Sequence, residues 1–282
     1  APASIAEQLL VRVAGGEQHT QVRLARPRRV GQLASAHAGH DHVGEHQVDV
    51  MLFEHFEGRG ADTPEEFERQ EAKIVAALSE MDADVVGLIE IENNGGQAVD
   101  TLVEALNAAE LDYATFGNHE FEIDRDTLIA RIAGSTFRWT SANCFLRPSG
   151  QPFPGVSRWD TSTISGVKVG VFGVTLAGDY RGWARCSNPD SAARVVIGEL
   201  KSAGAEVIYG LTHQTLEADS ALLAREPDIA FILGGHEHTL LQSSANGTPI
   251  FKMTADAREV GRFDLYIDKK TGKLTSMDWQ VI

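Results

Sequence analysis

Five times between residues 48 and 238, a short apolar run of strand length gives way to side chains rich in oxygen and nitrogen donors. VDVMLF (48–53) runs into Glu54-His55-Phe56-Glu57, ADVVGLIEI (83–91) into Glu92-Asn93-Asn94, and YATF (113–116) into Gly117-Asn118-His119-Glu120. VIYGL (207–211) stops at Thr212-His213, and IAFIL (229–233) at Gly234-Gly235-His236-Glu237-His238. Runs that are apolar throughout, instead of alternating, are the pattern of strands covered on both faces, as in a largely parallel sheet.

Helical patterns separate the runs. Thr63-Pro64-Glu65-Glu66 is a capping-box sequence with proline at the first helical position, and Phe67, Ile74, Ala77, Leu78 and Met81 follow at helical spacing. Residues 98–109, 124–132, 191–203 and 216–224 read as helices, the second closed by Gly134 and the third by Gly204. Further strands are expected over 137–143 and 167–174. The tail changes character: residues 249–253, 262–267 and 274–281 read as antiparallel strands, the last two joined by a turn over 268–273. Strands alternating with helices imply an α/β fold around a central, parallel or mixed sheet, with ligands bound beyond the carboxyl ends of the strands. Each of the five donor clusters falls at such an end.

At 282 residues and 43% hydrophobic content, the chain can bury one substantial core. Residues 48–282 show no internal linker and are expected to form one domain. Residues 1–47 are irregular, with an arginine-rich stretch over 21–30 and four histidines in HAGHDHVGEH (37–46). The histidine tract reads as a solvated loop, with metal capture as the alternative by composition. A formal net charge of −15 argues against a broad nucleic-acid surface, because that affinity rests on Lys and Arg neutralising phosphates. A small anionic substrate would instead need metal ions or a few local arginines; Arg125, Arg181, Arg185 and Arg258 are candidates, with Trp183 as a ring contact and Phe121 as packing. No run approaches the ~20 apolar residues of a membrane span. Cys144 and Cys186 lack metal-site spacing, leaving one bridge or two free thiols open. The Ala-Pro-Ala-Ser start, without methionine or leader, suits a processed or trimmed chain, and a periplasmic or secreted location is favoured.

Imidazole, carboxylate and amide oxygen in one pocket suit borderline divalent ions such as Zn, Mn, Fe, Co or Ni. Two such ions about 3.5–4 Å apart can hold a phosphate oxygen each and activate a shared water as hydroxide for in-line attack. One histidine after a strand is usually structural. The ordered set Gly-Asn-His-Glu, Thr-His and Gly-Gly-His-Glu-His points to dinuclear, metal-dependent hydrolysis of a small phosphoester.

GNHE (117–120), TH (212–213) and GGHEH (234–238) resemble the metal-binding motifs of the calcineurin-like metallophosphoesterases. Residues 97–282, with SANCF (141–145), GVKVGVFGVT (166–175) and NGTPIFKMTADAREVGRFDLYID (246–268), are similar to the catalytic domain of the bacterial 5′-nucleotidase branch. The resemblance implies a four-layered α/β/β/α sandwich with mixed sheets. It implies that Asn118, His213 and His236 bind one metal and His238 the other. His119 would be the unligated histidine at the leaving oxygen, oriented by the carboxylate at 122, a glutamate here where the branch has aspartate. The family's opening Asp-x-His is matched by His55-Phe56-Glu57 in reversed order, so His55 and Glu57 are the expected ligands of the first metal, with His40, Asp41 and His42 as rivals. The Gly-Asp of its second motif is absent after IEIENNGG, leaving Glu90 or Glu92 to bridge; in-strand alternation points the two to opposite faces.

Residues 58–94 carry a second resemblance, to bacterial secreted nucleases of the endonuclease/exonuclease/phosphatase superfamily, in which the glutamate matching Glu90 binds magnesium. A Mg-dependent nuclease, and a non-catalytic metal-binding protein holding one ion on Asn118, His213 and His236, are the alternatives to the phosphoesterase.

Overall fold

The computed structural model describes the backbone of Glu45–Phe56 and Val85–Ile91, and, with side chains, residues 103, 106–107, 111–254, 260–268 and 270–281. The expected helix over 63–81 lies outside the described residues. So do Glu57, Glu92, Arg258, the 37–42 histidines and the side chains of His55 and Glu90.

Two mixed sheets stack face to face. The first contains β1 (Glu45–Phe56), β2 (Val85–Ile91), β3 (Tyr113–Thr115), β4 (Arg138–Thr140), β6 (Val156–Ser157), β15 (Gly261–Asp268) and β16 (Leu274–Val281), in the order β16-β15-β1-β2-β3-β4-β6. Strands β1 to β4 and β6 are parallel; β15 and β16 extend the edge antiparallel. The second contains β7 (Trp159–Ile164), β8 (Val167–Thr175), β11 (Val207–His213), β12 (Phe231–Gly235), β13 (Leu241–Ala245) and β14 (Thr248–Lys252), in the order β13-β14-β12-β11-β8-β7. Its four inner strands are parallel and its two edges antiparallel. A small third sheet joins β5 (Cys144–Leu146), β9 (Gly178–Tyr180) and β10 (Ala184–Cys186).

Strand alternation explains the unbroken apolar runs. Val169, Val171, Val207, Tyr209, Leu211, Phe231 and Leu233 point between the sheets, where they meet Phe263, Leu265 and Ile267 of β15. Phe172, Val174, Ile208 and Ile232 point the other way, onto helices α2 (Pro189–Ser202) and α3 (Leu216–Arg225). On the far side of the first sheet, helical Val103 and Leu106 and α1 (Arg125–Gly134) cover Ala114, Phe116 and Trp139 through Leu128 and Ile132. The layers run α/β/β/α, as expected. Each of these fully buried aliphatic and aromatic side chains contributes roughly 1.5–3 kcal/mol.

Helix ends follow local chemistry. Asn188 caps α2 by accepting from Ser191 N at 2.9 Å, Pro189 occupies its first turn, and Gly204 at φ +86° ends it in the left-handed region. Thr215 caps α3 by accepting from Ala218 N, only two residues after His213. Gly134 does not close α1 as a left-handed glycine: it is the last helical residue, and Ser135 closes the turn through its N–H to Ile132 O and its hydroxyl to Arg131 O.

Two further expectations are corrected. Residues 249–253 are not part of an antiparallel tail; β14 pairs parallel with β12 and antiparallel only with β13. Thr212 and His213 belong to β11 itself, because β11 is paired along its whole length by β8 and over its last five residues by β12. At Gly173 the sheets approach so closely that a Cβ would collide with Thr115 Oγ1 and the Thr140 carbonyl, which draws the end of β8 against the end of β3.

Cys144 and Cys186 face each other across β5 and β10 and form a disulfide with a sequence separation of 42, which resolves the open alternative as a bridge. Its reduction, or the Cys144→Ser/Cys186→Ser pair, is expected to lower folding stability by about 2–4 kcal/mol. Urea unfolding with and without dithiothreitol reads this directly; coincident curves would rule it out.

Candidate active site

The carboxyl ends of the parallel strands in both sheets meet along one edge. In the first sheet Glu54 pairs with Ile89, and Ile89 with Thr115, so the positions of His55 and Glu90 lie level with the residues that follow β3. In the second, Thr175, His213 and Gly235 sit abreast at the ends of β8, β11 and β12.

Gly117 and Asn118 lead from β3 into a 3₁₀ turn, His119–Glu122. Glu120 is buried and its Oε2 accepts from Gly117 N at 2.7 Å, which folds the turn back on its own entrance. Phe121 is buried as packing, stacked on Tyr180 at 4.8 Å and edge-on to Trp183. These contacts fix the turn. Asn118 holds the N-cap position but makes no capping bond; its Oδ1 lies 2.9 Å from His213 Nε2. His236 Nδ1 lies 3.2 Å from that same His213 nitrogen, with the two rings edge to face at 5.0 Å. Two imidazole nitrogens and an amide oxygen from three distant segments thus converge. Beside them, His119 Nδ1 contacts Glu122 Oε1 at 3.0 Å, so the glutamate's longer arm reaches the histidine.

The supporting shell is buried. Thr175 Oγ1 donates to Phe116 O at 2.7 Å, tying the end of β8 to the residue before Gly117. Asn143, in the SANCF segment, donates to Thr175 O at 2.6 Å and accepts from Thr175 N at 3.0 Å. Leu176 N donates to His213 O at 2.8 Å. On the opposite flank, Lys252 is fully buried, and its Nζ donates to Gln214 O at 2.5 Å, Gly235 O at 2.9 Å and Glu237 Oε2 at 2.6 Å. Its Nζ also pairs with Asp219 Oδ2 at 3.0 Å, while Gln214 Nε2 donates to Asp219 Oδ1 at 2.9 Å. Burial pushes the Asp219 carboxyl above its usual range, against the pull of Lys252.

His236 and His238 have φ +98° and +55°, a left-handed backbone that costs a non-glycine residue on the order of 1–3 kcal/mol and persists where surrounding contacts over-determine it. His238 is exposed, two residues beyond His236. Arg125 lies on the exposed start of α1 and pairs with its neighbour Asp126 at 2.8 Å. Lys252, Asp219, Asn143 and Thr175 belong to no donor cluster that sequence reasoning picks out. The available signal is a charged residue inside the apolar strand TPIFKM, since lysine is almost never fully buried unless paired.

Among the described residues no three His, Cys, Asp or Glu side chains group as a metal site; the third donor here is an amide. The donor set nonetheless fits a divalent cation. Imidazole nitrogen and amide oxygen suit borderline ions, and separations of 2.9 and 3.2 Å lie near the roughly 3 Å edges expected between adjacent donors of an octahedron about 2.1 Å from a shared ion.

No family model matches the chain. A curated relative, "Endonuclease YhcR" of Bacillus subtilis (strain 168), is 27% identical over 208 residues, covering 64% of this chain. The chain spans only 17% of that relative's length. Among solved structures, the calcineurin-like phosphoesterase YfkN from Bacillus subtilis superimposes with a TM-score of 0.69 at 18% identity, over 84% of this chain and 90% of that one. The 5′-nucleotidase precursor from Thermus thermophilus gives 0.67 at 16% identity, over 84% and 54%.

Proposed function

We propose that this chain, which has the fold of the calcineurin-like phosphoesterases, is a divalent-metal-dependent hydrolase of small phosphoesters, nucleotides among them. The observation that carries this reading is the convergence of Asn118 Oδ1, His213 Nε2 and His236 Nδ1 beside a His119–Glu122 pair, at the carboxyl edge of two stacked sheets. Asn118, His213 and His236 would hold one ion. His238 and the strand-end residues His55, Glu57 and either Glu90 or Glu92 are the candidate ligands of a second. Bound divalent ions supply charge neutralisation for the phosphate and activation of a water.

The chain's own residues do the rest. The Glu122 carboxylate lies 3.0 Å from His119 Nδ1, which leaves the other ring nitrogen, Nε2, to deliver a proton to the departing oxygen. Buried Glu120 and the Phe121–Tyr180 stack hold the turn that carries His119. The Cys144–Cys186 bridge fits an oxidising compartment, periplasmic or extracellular.

The name of the curated relative favours a second reading, cleavage of a nucleic-acid phosphodiester at the same site. The net charge of −15 counts against an extended backbone contact. One experiment separates the two. Purified chain is loaded with Mn(II) or Zn(II), its metal content measured, and its turnover followed on a phosphomonoester, a 5′-nucleotide and single- and double-stranded DNA. Two ions per chain with turnover of the small esters is the expected result. Cleavage of DNA alone would establish the second reading, and one ion without turnover would overturn both.

A further inference from the structure

We infer that Glu237 and Lys252 form a clamp that sets the spacing of His213 and His236, and so act as positioning residues for the metal site. The inference rests on the proposed metal-dependent function and goes beyond its ligands. Glu237 stands between His236 and His238 in sequence, yet its carboxylate does not face the imidazoles. Oε1 accepts from Leu216 N at 2.5 Å, in the first turn of α3 and three residues past His213. Oε2 accepts from Lys252 Nζ at 2.6 Å. One carboxylate therefore ties the loop that carries His236 to the segment that carries His213.

Lys252 completes the tie from below. Its ammonium, with no exposed surface, binds the carbonyl of Gln214, one residue after His213, and the carbonyl of Gly235, one residue before His236. The backbone on both sides of the pocket is thus fastened to a single cation, and the parallel register of β14 beside β12 brings that cation there. The geometry has a cost that needs an explanation. A buried ammonium and a carboxylate must be desolvated, and two histidines adopt left-handed backbone in the same loop. Apolar side chains at 219, 237 and 252 together would avoid the desolvation but would leave the 3.2 Å separation of the two ring nitrogens unfixed. Groups one step removed from metal ligands commonly change metal affinity by about 10–100-fold when lost.

The test measures affinity rather than turnover. Mn(II) or Zn(II) binding to the intact chain is titrated against a chelator for the unsubstituted protein, Glu237→Gln, Glu237→Asp and, as a control, Asn188→Ala. The control removes the α2 cap, far in sequence from both loops, and lowers stability without touching either. Glu237→Gln is expected to weaken binding about 10–100-fold, and Glu237→Asp, charged but too short to reach both partners, to weaken it as well, while Asn188→Ala binds as the unsubstituted chain does. Two Glu237 variants guard against a single folding failure. Unchanged affinity in the Glu237 variants, or an equal loss in the Asn188 control, would overturn the clamp and leave the proposed function intact. Absence of metal binding by the unsubstituted chain would overturn that function and the clamp with it.

Discussion

Replacing Lys252 with methionine should cost roughly 3–5 kcal/mol of folding stability, because it strips the cation from a fully buried carboxylate and leaves two backbone carbonyls without their donor. The loss should also depend on pH. Burial already raises the Asp219 pKa, and Lys252 is the first group opposing that rise. Without the ammonium the folded-state pKa moves further up. A carboxyl that holds its proton more tightly when folded costs nothing below its unfolded pKa of ~4, and its cost grows as pH climbs through the folded value. The variant should therefore be more strongly destabilised, relative to the unsubstituted chain, at pH 8 than at pH 5. Urea unfolding at the two pH values checks it; a loss under about 1 kcal/mol, or one that is larger at pH 5, contradicts the account.

Replacing His119 with alanine should lower turnover of an alkyl phosphomonoester by about 10²–10⁴-fold, the usual weight of a positioned general acid. The same substitution should cost much less on p-nitrophenyl phosphate, whose leaving group departs without needing a proton. Glu122→Gln should produce an intermediate loss, since the 3.0 Å contact with Nδ1 orients the ring. Metal content should be unchanged in both variants, because neither residue is placed among the ligands. Equal losses on the two leaving groups would remove His119 from the acid role.

Much of this fold is legible from strand runs because β8, β11 and β12 are covered on both faces, so burial wrote apolar residues at nearly every position. Strands β7 and β13 lack that signature. Each is an edge strand with half-exposed faces, and sequences such as WDTSTI and LQSSA satisfy an edge without a recognisable pattern. The third sheet is invisible for a similar reason: three-residue strands leave no period to detect, and they are held by cross-strand pairing and the Cys144–Cys186 bridge. The antiparallel expectation for residues 249–253 fails because strand direction is decided by a partner, and β12 lies on the far side of the GGHEH loop.

The α/β alternation and the donor clusters holding Asn118, His119, His213 and His236 can be read along the chain, because donor side chains that interrupt buried runs announce themselves locally; the α/β/β/α layering was implied only by the family resemblance. Whatever depends on distance between separate segments came from the folded arrangement: that Asn118 and His236 both approach His213 Nε2, that Glu122 reaches His119, and that Arg125 pairs with Asp126. It alone revealed Lys252, whose chemistry looks like a misplaced charge in an apolar strand until β14 is laid parallel to β12. Only then do carbonyls 38 and 17 residues away in the chain come within reach of one ammonium group. Composition and period report how much surface each residue buries; which partners meet it there is set by sheet register, and no single segment encodes that.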